Sequence, residues 1–153
     1  MKRIITDKPI LVSACLLGVQ CRYNGTGALE EEIARLKEKY VLIPICPEIL
    51  GGLPTPRIPC ERLGNLVRNR NGEDMSDAFH KGALETLQLA KFYGCTHAIL
   101  KERSPSCGHG MIYDGSFSGT LTPGDGITTQ LLKEHGITVL GESQINKYFQ
   151  NIL

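Results

Sequence analysis

The chain has 153 residues, of which 22% are charged and 41% hydrophobic, and carries a formal net charge of +1. That length suffices for one buried core, so residues 1–153 are read as a single domain of globular composition. The near-neutral balance gives no electrostatic case for nucleic acid or an anionic membrane surface, and no apolar run reaches transmembrane length.

Met1-Lys2-Arg3 is basic, and Val12-Ser13-Ala14-Cys15 resembles a lipoprotein cleavage box. Asp7, Lys8 and Pro9 nevertheless break the apolar stretch that a signal peptide needs, so export is rejected and a cytoplasmic location expected. Residues 10–14 are short, apolar and preceded by Pro9, which reads as a buried strand. A loop follows over 16–27, with Asn24-Gly25 its strongest turn signal. Residues 29–40 read as a helix with Ile33, Leu36 and Tyr40 on one face, acidic residues in its first turn and lysines in its last. A second buried strand occupies 41–45.

The segment 47–72 is rich in proline and glycine, so little helix is expected there, with a short strand around Val67 and a turn at Asn71-Gly72. Residues 74–93 give the clearest helix. Asp74 can cap it, Phe79, Ala83, Leu87 and Ala90 form its apolar stripe, and Gly94 stops it. A third strand follows at 96–100. Residues 111–121 suggest a hairpin flap around Asp114-Gly115. A helix over 126–134, a fourth strand at 137–140 and a last helix at 143–149 complete the pattern. Strands alternating with helices imply an α/β Rossmann-like sandwich around a mainly parallel, four-stranded sheet.

Six cysteines in a chain that is not exported argue against a disulfide framework. The absence of any C-x-x-C spacing argues against zinc ribbons, thioredoxin-type pairs and ferredoxin-type clusters. Cys15, Cys46 and Cys107 share a context, in LVSACLLG, VLIPICPE and AILKERSPSCG. Each ends an apolar run and opens a turn bearing glycine or proline. A parallel sheet gathers the carboxyl ends of its strands along one edge, so these thiols can converge. Cys95 falls at the opposite end and reads as core. Cys60 lies in an irregular loop, and Cys21 is the best supernumerary ligand. Zinc would need a fourth donor from Cys21, His97 or His109, whereas a 4Fe–4S cluster on three thiolates keeps one iron open. Spacing does not choose between them.

Ser13-Ala14-Cys15-Leu16-Leu17-Gly18, Arg22-Tyr23-Asn24-Gly25, Cys46-Pro47-Glu48, Leu50-Gly51-Gly52-Leu53-Pro54-Thr55-Pro56-Arg57 and Ser104-Pro105-Ser106-Cys107-Gly108 resemble, in order, the motifs of the thiouracil desulfidase family. The resemblance spans about residues 8–141. It implies a Rossmann-like domain whose 4Fe–4S cluster is held by Cys15, Cys46 and Cys107. It further implies an open iron that takes the sulfur of a thiolated pyrimidine, which is removed without net redox change. Glu48 and Ser104 match positions with suggested catalytic roles. The expected partners are a small thiolated nucleobase or nucleoside and the iron–sulfur assembly machinery, with tRNA less favoured and no membrane.

On chemical grounds Glu48 can serve as the base that deprotonates water, and Ser104 can donate to substrate or position that water. Ser13 and Ser106 are weaker candidates that could tune the centre through hydrogen bonds. Arg57, Arg62, Arg68 and Arg70 either bind a phosphate or form a solvated face. His109 reads as an exposed loop residue and Asp125 as a helix cap. Two other function classes compete. One is a non-catalytic iron–sulfur or zinc-binding module. The other is a metal-free enzyme with Cys107 as nucleophile, activated by His109 or a helix amino end.

Overall fold

The computed structural model describes residues 7–149. Four short strands, β1 (Ile10–Ser13), β2 (Leu42–Ile45), β5 (His97–Leu100) and β8 (Thr138–Gly141), form one parallel sheet in the order β2-β1-β5-β8. The chain steps from β1 to one side for β2 and to the other side for β5. The order therefore reverses next to β1, and at such a switch point the loops leaving adjacent strands diverge and open a crevice.

The inner strands β1 and β5 are buried on both faces, which is why they read as continuous apolar runs. The edge strand β2, expected to be buried over 41–45, is only partly so: Val41 and Pro44 are exposed and Ile45 alone is buried, because no strand covers its outer side. On β1, Ile10 and Val12 join a core with Leu16, Ile33, Leu36, Ile99 and Ile145. Leu11 points the other way, to Leu87, Ala90, Ala98, Leu132 and Val139. That second face is covered by α3 (Ser76–Tyr93) and α4 (Ile127–Glu134). Cys95 belongs to this core, as its position beside Gly94 implied. Among the described residues no helix is long and apolar enough to cross a membrane.

Several boundaries differ from expectation. The helix expected over 29–40 is a single α turn, α1 (Glu31–Ala34), that tightens into a 3-10 turn over Arg35–Glu38. Its Ile33 and Leu36 still face the core, so the apolar stripe survives the change of pitch. α3 begins at Ser76 rather than Asp74. Asp74 Oδ1 accepts the Ser76 N–H at 2.9 Å from outside the helix, while Ser76 Oγ accepts the Val67 N–H. The expected strand at Val67 is β4 (Leu66–Asn69), antiparallel to β3 (Cys60–Leu63). The flap is a second hairpin, β6 (Met111–Tyr113) with β7 (Leu121–Pro123). The last helix splits into a 3-10 turn (Glu142–Gln144) and α5 (Ile145–Phe149).

Two elements were not expected. One is β3, which places Cys60 at a strand start rather than in an irregular loop. The other is a single-turn helix, α2 (Pro47–Leu50), which follows Cys46, with Pro47 in its first turn. Proline there loses no backbone bond and presets φ, so Cys46-Pro47 was a legible start signal within an otherwise irregular segment. α2 packs against α3 at unusually short range. A Cβ on Gly82 would lie 1.9 Å from the Pro47 carbonyl oxygen, and one on Gly51 would lie 2.1 Å from that of Ala78. Two glycines therefore let α3 press α2 against the carboxyl edge of the sheet.

Candidate functional site

A cleft of about 510 Å³ opens at that edge, lined by Cys15, Cys46, Cys107, Glu48 and Ser104 together. Cys15 sits in the 3-10 turn (Ala14–Leu17) that continues β1. Cys46 links β2 to α2, and Cys107 lies in the loop after β5. The Cys107 loop is anchored by the first turn of α4. Its N–H groups at Ile127 and Thr128 donate to the carbonyls of Pro105 and Ser106 at 2.9 Å each.

Glu48 is fixed at both carboxylate oxygens. Arg57 Nε donates to Oε1 at 2.9 Å and Ser106 Oγ donates to Oε2 at 2.8 Å. Arg57 also reaches the Cys21 carbonyl with Nη2 at 2.9 Å, and Pro54 O and Thr55 Oγ1 with Nη1 at 3.1 Å. Ser104 Oγ accepts the Cys107 N–H at 2.7 Å and lies 3.3 Å from Ser106 Oγ. Because the Ser106 proton is committed to Glu48, Ser104 donates in that contact. The chain of hydroxyls thus runs Ser104 to Ser106 to Glu48, with every proton directed toward the carboxylate.

Ser106 was only a weak candidate from sequence, yet it joins the two favoured residues. Arg57 closes one of the matched motifs, but the sequence grouped it with three other arginines and gave no sign that it pairs with Glu48. In the fold, Arg57 and Arg70 line the cleft, whereas Arg68 is exposed. Arg62 turns away to the Asp125 carbonyl and Gln130 Oε1. Asp125 does not cap α4 as expected, since its Oδ1 accepts the Gly110 N–H at 2.9 Å and its Oδ2 pairs with Lys133.

The thiols are crowded. Cys21 interacts with both Cys15 and Cys46, so it lies inside the cysteine group rather than beside it. The bond to Cys15 is the largest influence raising the Cys21 thiol. The neighbouring Cys21 thiol, then burial, push Cys46 well above the ordinary thiol range. Burial pushes Cys107 up to about 12, although the neighbouring Ser13 and Ser106 hydroxyls oppose the rise; Ser106 lies 3.7 Å from the thiol, well beyond its 2.8 Å bond to Glu48. Cys60, half-buried at the start of β3 and part of the cleft lining, is likewise raised to about 12 by burial and the charge of Glu48. Such protonated, buried thiols are poor free nucleophiles, which weighs against the metal-free cysteine enzyme. His109 Nδ1 lies 3.5 Å from Asp125 Oδ1, a contact directed at a carboxylate and not at Cys107.

The donor set fits a sulfur-ligated group. Soft thiols from three strand ends border a single cavity, and a bound cation would supply the charge that ionises them. Among the described residues no three His, Cys, Asp or Glu side chains gather closely enough to hold a single metal ion. The thiols surround the cavity without closing on a point.

Residues 10–144 match the family model of 2-thiouracil desulfurase. The chain belongs to this family. The desulfurase family comprises enzymes that act on a carbon–sulfur bond, and its match runs from β1 into the last 3-10 turn. The Bacillus subtilis (strain 168) protein YbbK is 43% identical over 147 residues, covering 90% of this chain and 97% of that protein. A solved structure of the 4Fe–4S-dependent thiouracil desulfidase TudS superposes with a TM-score of 0.89 at 42% identity, covering 95% of this chain and 98% of that one. The α/β sandwich with its parallel sheet is thus the desulfurase fold, as the sequence motifs implied.

Proposed function

We propose that this chain is an iron–sulfur-dependent desulfidase that converts the C=S of a thiolated pyrimidine to C=O, consuming water and releasing hydrogen sulfide with no net redox change. The observation that carries the reading is the meeting of Cys15, Cys46 and Cys107 with the Glu48–Ser106–Ser104 chain in one cleft. The 4Fe–4S dependence of the similar structure supports the cofactor. Cys15, Cys46 and Cys107 would hold the cluster, loaded by the iron–sulfur assembly machinery. When bound, it supplies an iron with no protein ligand, a Lewis acid for the substrate sulfur.

The other residues act on water and the ring. Glu48 takes the proton of the attacking water, and its second lone pairs remain free because Arg57 and Ser106 each use only one per oxygen. Ser104, at the far end of the hydroxyl chain, bonds the ring or the water and can pass a proton toward Glu48. Cleft size is that of a small-molecule site, which favours a free base, nucleoside or nucleotide over tRNA. Arg70 at the rim gives a phosphate-bearing ligand a countercharge.

The test is anaerobic purification, with iron, acid-labile sulfide and thiouracil turnover measured for wild type and for Cys15→Ala, Cys46→Ala and Cys107→Ala. The expected result is a cluster and sulfide release in wild type, with both lost in each variant. Glu48→Gln should retain the cluster and abolish turnover. Wild type that stays cluster-free after reconstitution overturns the reading.

A further inference from the structure

The β6–β7 flap closes one side of the cleft, contributing Tyr113, Phe117 and Gly119 to its lining. Its tip is tied to the β3–β4 hairpin by one side chain. Glu61 Oε1 accepts the backbone N–H groups of both Gly115 and Phe117, each at 3.0 Å. Around that anchor the tip is internally ordered. Asp114 N–H donates to Thr120 O at 3.0 Å, and the hydroxyls of Ser116, Ser118 and Thr120 form a chain at 2.6 and 2.8 Å. Gly115, at φ +94°, sits so close to β3 that a Cβ would lie 3.0 Å from Leu63 Cβ.

This arrangement holds Phe117 at φ 57°, a left-handed conformation that a bulky residue avoids unless its surroundings impose it. The ring that results is half-buried in the cleft wall, with the Arg70 guanidinium 5.8 Å from its centroid. A phenylalanine serving only the core would point inward. This one is presented to the cavity by a purpose-built turn.

We infer that Phe117 is the stacking wall for the substrate's pyrimidine ring, and that Glu61 is the positioning residue that latches the flap to present it. The inference rests on the desulfuration reading, because it assigns the cleft a planar heteroaromatic ligand. Base–aromatic stacking depends on the π face and not on the sulfur, so Phe117 binds the thiolated ring and the desulfurated ring alike. It therefore sets affinity and leaves the chemical step unchanged.

The test uses cluster-loaded protein and uracil as the binding probe, with no turnover required. Phe117→Ala and Glu61→Ala should each weaken uracil binding about tenfold, the range expected for one lost base–aromatic stack. Thiouracil turnover should show KM raised by about the same factor, with kcat within about threefold of wild type. Phe117→Trp should retain affinity, and uracil should quench its fluorescence on excitation beyond the tyrosine absorption band, where the signal comes from this residue alone because the chain has no tryptophan of its own. Uracil affinity and KM unchanged in both alanine variants overturn the inference, as does an unquenched Phe117→Trp. Loss of turnover in wild type with these binding effects intact would instead refute the desulfuration reading alone.

Discussion

Replacing Arg57 by alanine removes the side chain on which Glu48 depends. The pair is well buried, with only 6% of the Arg57 and 14% of the Glu48 side chain exposed. Four hydrogen bonds disappear, including those to Cys21 O and Pro54 O, and the Glu48 carboxylate keeps Ser106 as its one remaining bonded partner. Breaking a buried ion pair from one side costs about 3–5 kcal/mol, because the remaining charge stays desolvated. At about 2–4 °C per kcal/mol for a chain of this length, the melting temperature should fall by about 10 °C. Turnover should drop more than tenfold as the carboxylate loses its fixed orientation. Arg57→Lys should restore little, since an ammonium cannot reproduce the planar fork that spans four acceptors. Circular-dichroism melts at matched iron content, completed as a cycle with Glu48→Gln, isolate the pair at an expected coupling of about 2 kcal/mol. A cycle additive within about 0.5 kcal/mol would refute the claim that Arg57 acts through Glu48.

Gly82→Ala should destabilise the fold by about 3 kcal/mol, because its methyl group would enter the Pro47 carbonyl, and iron per chain should fall as α2 moves Cys46; an unchanged melt and full iron content would contradict that packing. Cys21→Ala should keep the iron and sulfide content of wild type while Cys15→Ala loses both, and loss in Cys21→Ala would bring Cys21 into the ligand set. Burial raises the Asp125 carboxyl, but the Gly110 N–H and Lys133 overcome it and hold the group below its ordinary value. A depressed folded-state value stabilises the protein above the carboxylate range, and that contribution is lost as pH falls through it. Melts of Asp125→Asn should therefore lie below wild type at neutral pH and converge with it in acid, and a constant gap would remove Asp125 as the cause.

The sheet and its cysteines were legible because their signals are local. A buried parallel strand is a short apolar run, and the turn after it carries its own proline or glycine. Reading Cys15, Cys46 and Cys107 as strand-end residues needed no knowledge of which strands are neighbours. The helix at 29–40 misled because its stripe, set by Ile33 and Leu36, fits a 3-10 turn as well as an α turn over so few residues. Asp125 misled because a carboxylate before a helix has the composition of a cap, and only the fold reveals Gly110 as the competing donor.

What the sequence could not display is pairing at long range. Ser106 meets Glu48 across 58 residues, and Glu61 meets Phe117 across 56. Neither contact leaves a periodicity or a spacing, since nothing in a linear pattern says which side of a strand end a loop will cross. The parallel sheet supplies that information. Its order reverses beside β1, so the β2 loop approaches from one side with Glu48 and the β5 loop from the other with Ser104 and Ser106. Both are then held by glycines that let backbone touch backbone. Gly82 admits the Pro47 carbonyl on the β2 side, and Gly126, where a Cβ would lie 2.4 Å from Ser106 O, admits the Cys107 loop on the β5 side. The hydrogen-bonded chain from Ser104 to Glu48 exists only where those two supports agree, which makes these distant glycines as much a condition of the site as the residues that line it.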